Sequence, residues 1–272
     1  MSDYLIVAAF LLSCVFFLAG NQKKYAAIGG WTLIIINLLS EVPAYLKADN
    51  FLYPVLAVAS LPFLLITVRH LLRNDPVVLQ LSKTAAVAII IYVPFAFIPV
   101  LRDALVMTVV NQAFWIIQAL GHHPQMPAWN IIMENGFANQ IILGCTAITA
   151  MAIMTGIIAG VPNLSWKQGM TAFLMVVPLL YLLNLLRVAI VFIAVSDAWF
   201  WFLPNLTGNP GFRAADFFWA HNVFAEALAV IALLAITLGL SRMIPSLAVF
   251  ARRLIDLYTG DMRAFFGKGT DL

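Results

Sequence analysis

Three side chains with reactive potential lie in otherwise apolar stretches: Cys145 in "GCTAITAM", Arg187 in "LLYLLNLLRVAIVFIAV" and His221 in "FFWAHNVFAEALAV". A thiol attacks as its thiolate. A neighbouring base can take the proton, and a fixed cation can hold the thiolate or the oxyanion formed at a carbonyl. Each residue also has a plainer reading. Cysteine is a small apolar filler in membrane cores, the role expected for Cys14. A histidine at an interface commonly anchors a helix, and an arginine can snorkel toward the headgroups. Arg187 is the hardest to explain in that way. Eight uncharged apolar residues follow it, and a mid-helix arginine costs on the order of 3 kcal/mol to insert. Its distance below Val195 is roughly 12 Å along a helix. Asn184, three residues earlier, shares its face and is expected to orient the guanidinium.

The surroundings explain why such residues are conspicuous. The 272 residues are 63% hydrophobic and 10% charged, with mean hydropathy +0.98. A soluble chain carries about 25% charged residues, so there is too little polar surface here to face water. Lipid offers no partners to exposed backbone, and the apolar runs are continuous rather than alternating, which predicts an all-α polytopic membrane protein. The net charge of +3 does not point to nucleic acid. Its basic residues are scattered over loops and gather at the C-terminus, in Arg242, Arg252, Arg253, Arg263 and Lys268. Two cysteines make no disulfide framework. The apolar N-terminus lacks a basic region before it and reads as a first span rather than a cleaved signal.

Expected spans are Tyr4–Ala19, Tyr25–Leu46, Phe51–Val68, Thr84–Leu101, Cys145–Val161, Met170–Val195 and Phe217–Leu240. An eighth run, Ala104–Leu120, contains Asn111, Gln112 and Gln118 and either spans or lies amphipathically in the interface. With seven spans and the N-terminus outside, eleven basic loop and tail residues fall inside against three outside. With eight spans the division is eight against six. The charge asymmetry favours seven, with eight as the alternative. Both place 121–140 and 197–216 outside and the C-terminus in the cytoplasm. The expected organisation is scaffold helices over 1–101, an external amphipathic helix and hairpin over 102–144, a catalytic core over 145–240 and a basic tail over 241–272. Within the insert, "WNIIM" and "FANQIIL" flank "ENG". Asn-Gly is a strong turn signal, so a β-hairpin of Trp129–Met133 and Phe137–Leu143 is expected to run directly into the Cys145 helix. Free amides and the helix dipole at such a start favour a thiolate.

Three successive spans then bring Cys145, Arg187 and His221 toward one face, the geometric prerequisite for one site. Glu226 lies about 140° around the helix from His221 and pairs better with Asn222. Thr149, Asn184 and Asn222 are the expected polar support. No H-E-x-x-H, G-x-S-x-G, Walker or dinucleotide pattern is present. His122 and His123 are adjacent loop residues without a cysteine ligand nearby, so neither metal nor cofactor is expected. Gly29 and Gly30 read as helix packing.

These residues resemble the exosortase/archaeosortase family of membrane cysteine transpeptidases. The resemblance runs over about Leu101 to Leu240 and rests on "WNIIMENGFANQIIL" leading into "GCTAITAM", then "NLLRVAIV", then "HNVFAE". In the family, Cys followed by Ser or Thr opens a helix after an external strand. An Arg near the outer end of a later helix and a His or Arg at the next helix start complete the site. Cys145, Arg187 and His221 match these positions, and Cys-Thr is more similar to the archaeal branch. That branch is associated with a Cys-Arg-Arg set, which makes Arg213 in "NPGFRAADFF" the alternative third basic residue. The resemblance implies substrates that are exported membrane-anchored proteins with a C-terminal sorting tail: a Pro-Gly-Phe-type motif, a transmembrane helix and a basic cluster. It also implies an acyl-enzyme on Cys145 and an amine-bearing phospholipid as acceptor. Without it, a transporter or a non-catalytic assembly scaffold stays open, although no paired repeats favour a transporter.

Overall fold

The computed structural model describes residues 2–206 and 208–267; Lys268 of the expected basic tail lies outside them. Five helices come first: α1 (Ser2–Leu18), α2 (Lys23–Lys47), α3 (Leu52–Leu72), α4 (Pro76–Phe97) and α5 (Pro99–Ala119). Three short strands follow, β1 (Gln125–Ala128), β2 (Ile131–Glu134) and β3 (Phe137–Gln140). The chain continues through α6 (Ile148–Gly160) and α7 (Trp166–Ser196). After a loop, α8 (Ala214–Phe217), a π-helical segment (Phe218–Ala225) and α9 (Glu226–Met243) run on without a break, and α10 (Pro245–Gly267) follows after the non-helical Ile244. Among the described residues, six helical stretches are long and apolar enough to cross a membrane, while α1 and α6 are shorter.

The chain folds into two compact units. The first comprises 1–93, 152–173 and 238–272. There Gly29 of α2 lets α1 approach: a Cβ at Gly29 would lie 2.7 Å from the Leu12 side chain. The span expected at Thr84 begins eight residues earlier, at Pro76. Its polar residues are satisfied by neighbouring helices, as lipid requires. Ser82 accepts a hydrogen bond from Trp31 Nε1 (3.0 Å), and Gln80 donates to the Gly160 carbonyl. Gly156 and Gly160 form a small-xxx-small pair whose Cβ positions are occupied by Thr84 of α4, a close backbone approach typical of membrane helices. The amphipathic α10 is held to α3 by polar contacts. Tyr258 Oη and Thr67 Oγ1 share a hydrogen bond (2.7 Å), and His70 lies between Asp75 (2.9 Å) and Asp261 (3.2 Å). Burial pushes the Tyr258 phenol up to about 12.

The second unit, 94–151 and 174–237, contains the sheet. The Asn-Gly signal is realised: Asn135 (φ 50) and Gly136 (φ 79) both take the left-handed conformation that a two-residue hairpin turn requires. β2 and β3 pair antiparallel, with Glu134 opposite Phe137. The hairpin is one strand larger than expected, because β1 adds to the outer edge of β2. Pro127 in β1 fits an edge strand, where its missing N–H breaks no ladder. Ile132 and Ile141 enter a core with Val106, Val109, Val110, Ala113 and Ile117 of α5 and Leu185, Val188, Ala189, Phe192 and Ile193 of α7. The run at 104–120, which the sequence left as either spanning or interfacial, falls within one packed helix. α5 is a 21-residue apolar helix that buries a stripe at helical spacing, and its Gln112 accepts from Tyr181 Oη of α7 (2.5 Å).

Replacing Gly156 with Val forces a side chain onto the Thr84 carbonyl, backbone that cannot swing aside. We expect a loss of about 1–3 kcal/mol, read as a lower thermal unfolding midpoint in detergent. Gly239→Ala meets nothing within 4 Å and should leave the midpoint unchanged or slightly raised.

Candidate functional site

The residues singled out from the sequence all fall in the second unit. Cys145 does not open α6. It lies in a 3-10 turn, Leu143–Thr146, followed by Ala147 in the left-handed region (φ 59, ψ 9), and α6 begins only at Ile148. Helix-dipole effects fade within the first turn, so the electrostatics around the thiol depend on side chains instead. The turn is rigid. Cys145 N donates to Ile142 O (2.8 Å), and the fully buried Thr146 hydroxyl donates to Leu143 O (2.7 Å). A non-glycine residue in the left-handed region costs on the order of 1–3 kcal/mol, so these bonds hold Ala147 in a conformation it would not choose alone. The Cys145 side chain is half-buried against the α5–α7 core, which Tyr181 also packs against.

α7 supplies the anchor. The buried Asn184 donates from Nδ2 to the Cys145 carbonyl (2.8 Å). It thus fixes the cysteine turn instead of orienting Arg187, as its position on the helix had implied. Arg187 lies one turn further along the same face. Its Nη2 contacts Nε2 of His221 (3.3 Å), while its Nε is buried without a hydrogen-bond partner. Among the described residues Arg187 enters no ion pair. His221 is in the π-helical segment, stacked on Phe217 with ring centroids 4.8 Å apart and planes 9° from parallel. Its Nδ1 lies 2.7 Å from Asn222 Oδ1.

Arg213 is placed differently. It sits in the left-handed region (φ 61), 3.8 Å from Asp216 and 5.1 Å from the centroid of the Phe212 ring. The buried Asp216 also accepts from Phe200 N (3.0 Å). Arg213 thus braces the loop before α8 and has a carboxylate neighbour, whereas His221 is the basic residue that touches Arg187. Thr149 is exposed on the first turn of α6.

Sequence reasoning missed the lock between the sheet and the end of α7. Asn135 Nδ2 donates to Ser196 Oγ and to Asp197 Oδ1, both at 3.2 Å. His122 lies between Glu134 (3.3 Å) and Asp197 (3.8 Å). Asn135 is 61 and 62 residues from its two partners, and nothing in that spacing announces the contact. Thr146 was visible as the residue after the cysteine, but its bracing bond depends on the turn.

The sequence signature of the transmembrane exosortase family matches residues 2–215. The chain belongs to that family. Archaeosortase A of Haloferax volcanii is 26% identical over 259 residues, covering 85% of this chain and 84% of the relative. Archaeosortase A of Natronomonas pharaonis is 29% identical over 199 residues, covering 66% and 62% respectively. No solved structure matches. The chain is thus a multi-pass membrane protein of the exosortase/archaeosortase family. Cys145 and Arg187 fall within the matched range, and His221 lies just beyond its end.

Asn184→Asp removes the donor to the Cys145 carbonyl while keeping the side-chain size. A buried carbonyl left without its donor costs roughly 1–3 kcal/mol, more when a carboxylate faces it. The variant should unfold at a lower temperature in detergent than the wild type; an unchanged midpoint would remove Asn184 as the anchor.

Proposed function

We propose that the chain is a membrane cysteine transpeptidase that removes the sorting tail of exported surface proteins and transfers the new C-terminus to a lipid. The observation that carries this reading is the state of Arg187. A guanidinium on an apolar helix touches a neutral-capable imidazole, enters no ion pair, and lies one turn from the asparagine that holds the cysteine turn. Such a cation is available to an anion that appears during a reaction.

His221 takes the proton of Cys145, and the thiolate attacks the carbonyl carbon at the Pro-Gly-Phe-type motif. Arg187 stabilises the oxyanion of the tetrahedral intermediate. Collapse forms a thioester on Cys145 and breaks the peptide bond, and the leaving amine receives the proton from His221. The amine of a phospholipid headgroup then attacks the thioester. His221 takes its proton, the lipid amide forms, and the thiolate leaves and is reprotonated. The transmembrane helix of the substrate lies alongside the spans and holds the motif near the thiol, turning attack into an intramolecular event.

Packing favours eight crossings over seven. α5 shares one core with α7 and leads into the sheet that is bonded to the end of α7. A helix buried along α7 in this way does not lie flat in the interface, and this outweighs the charge asymmetry of the loops. With α1 and α6 as short spans, the sheet and the 197–216 loop face outside and both termini face the cytoplasm.

In cells carrying a tailed surface protein, Cys145→Ala and Arg187→Ala should each leave the precursor at full size, a loss of roughly 10³-fold or more. Normal processing in a folded Cys145→Ala protein would sink the nucleophile and restore a transporter or scaffold reading. For topology, Asn205→Cys in a chain lacking Cys14 and Cys145 should react with a membrane-impermeant maleimide added to intact cells. Protection of that position would overturn the external site.

A further inference from the structure

The contacts of His221 allow its protonation pattern to be read without seeing a hydrogen. A guanidinium carries only donors, so the Nε2 atom 3.3 Å from Arg187 Nη2 must present its lone pair. The proton of the neutral ring is then on Nδ1, 2.7 Å from Asn222 Oδ1, which can only accept. We propose that Asn222 is a positioning residue for His221: it holds the ring as the Nδ1–H tautomer and keeps the Nε2 lone pair turned toward Arg187 and free to take the proton of Cys145. The proposal rests on the reading of His221 as the base and adds what makes it one.

The backbone is built for this contact. On a regular helix, residues i and i+1 point about 100° apart and do not face each other. Here both residues belong to the π-helical stretch Phe218–Ala225, a wider turn that is rare and recurs at functional sites. Phe217 stacks on the ring from the preceding turn. Both ring nitrogens and one ring face are therefore held at once. In the other tautomer, Nε2–H would meet the Arg187 N–H donor to donor, and no lone pair would be available to the thiol.

This arrangement couples two events. When the S–H bond of Cys145 breaks and its proton binds Nε2, the lone pair that held Arg187 disappears. The ring becomes a cation, Nδ1–H···Oδ1 becomes a charge-assisted bond, and the guanidinium is repelled from Nε2 toward the new thiolate. No net charge is created, and proton transfer itself releases the cation to the anion that needs it.

The test needs no substrate. In the full-length Cys14→Ala protein in detergent, the probe is iodoacetamide and the readout is the alkylation rate of Cys145 at pH 7. His221→Gln should slow it by roughly tenfold or more, a part of the 10²–10⁴ that a general base contributes to a whole reaction. Asn222→Leu should slow it about tenfold, and Asn222→Asp, which keeps an acceptor, should restore the rate to wild type or above. Adding Asn222→Leu to His221→Gln should change nothing further, because a residue acting only through the ring has nothing left to act on. A wild-type rate in Asn222→Leu, an Asp variant as slow as Leu, or additive losses in the double variant each overturn the proposal while leaving His221 as the base. A wild-type rate in His221→Gln overturns the base and the proposal together.

Discussion

The candidate site is organised around a positive charge that enters no ion pair among the described residues. Arg187 lies on an apolar helix, where an isolated cation costs on the order of 3 kcal/mol. The usual remedy is a carboxylate, as Arg213 has in Asp216. An ion pair would also cancel the field that makes the cation useful. A neutral acceptor, the imidazole of His221, steadies the guanidinium and leaves its charge intact. The buried Nε of Arg187 has no hydrogen-bond partner, so in the proposed reaction it would be a donor still open to an incoming oxyanion.

A charge kept in that condition is useful only if its surroundings do not drift, and α7 is the common reference. Asn184 ties the cysteine turn to it, Phe192 packs against Phe137 of the hairpin with ring centroids 5.9 Å apart, and Ser196 and Asp197 hold the hairpin turn. Each contact joins a segment remote in sequence to one rigid helix. The reactive residues can then keep a register that their own loops would not give them. The left-handed Ala147 shows the same logic on a smaller scale. Its strain persists because Thr146 and Ile142 bond the turn on the other side.

How much of this was legible depended on the range of the interaction. Apolar runs and the Asn-Gly turn are local signals, and the helices and the β2–β3 hairpin follow them. Helix α5 was obscured because Gln112 looks like an interfacial residue until its partner Tyr181, 69 residues away, is known. β1 was obscured by Pro127, which argues against a central strand but not against an edge. At the candidate site, residue types and apolar surroundings marked Cys145, Arg187 and His221. The hydrogen bonds that connect them did not show, because helical spacing gave Asn184 to its neighbour Arg187 when the carbonyl of Cys145 claims it. The π-helical segment leaves no periodic trace in eight residues.

Two helix lengths bear on the depth at which the proposed reaction would take place. α6 has 13 residues, about 20 Å at 1.5 Å per residue, which falls roughly 10 Å short of a hydrocarbon core of about 30 Å. With α6 crossing as proposed, its start and the cysteine turn are recessed by that amount. Arg187 lies nine residues below Ser196 on α7, about 14 Å by the same rise. The bond to the Cys145 carbonyl comes from Asn184, one turn deeper on α7 than Arg187, so both lengths put the cysteine turn below the outer end of α7. A site at that depth has few waters to screen it, so one guanidinium acts on a developing anion far more strongly than it would in water. A substrate anchored by its own transmembrane helix needs only to unwind near its outer end to bring a peptide bond to that level. In the proposed reaction the short α6 would therefore do two things at once: lower Cys145 into a medium of low dielectric, and place it where a membrane-anchored chain can reach it.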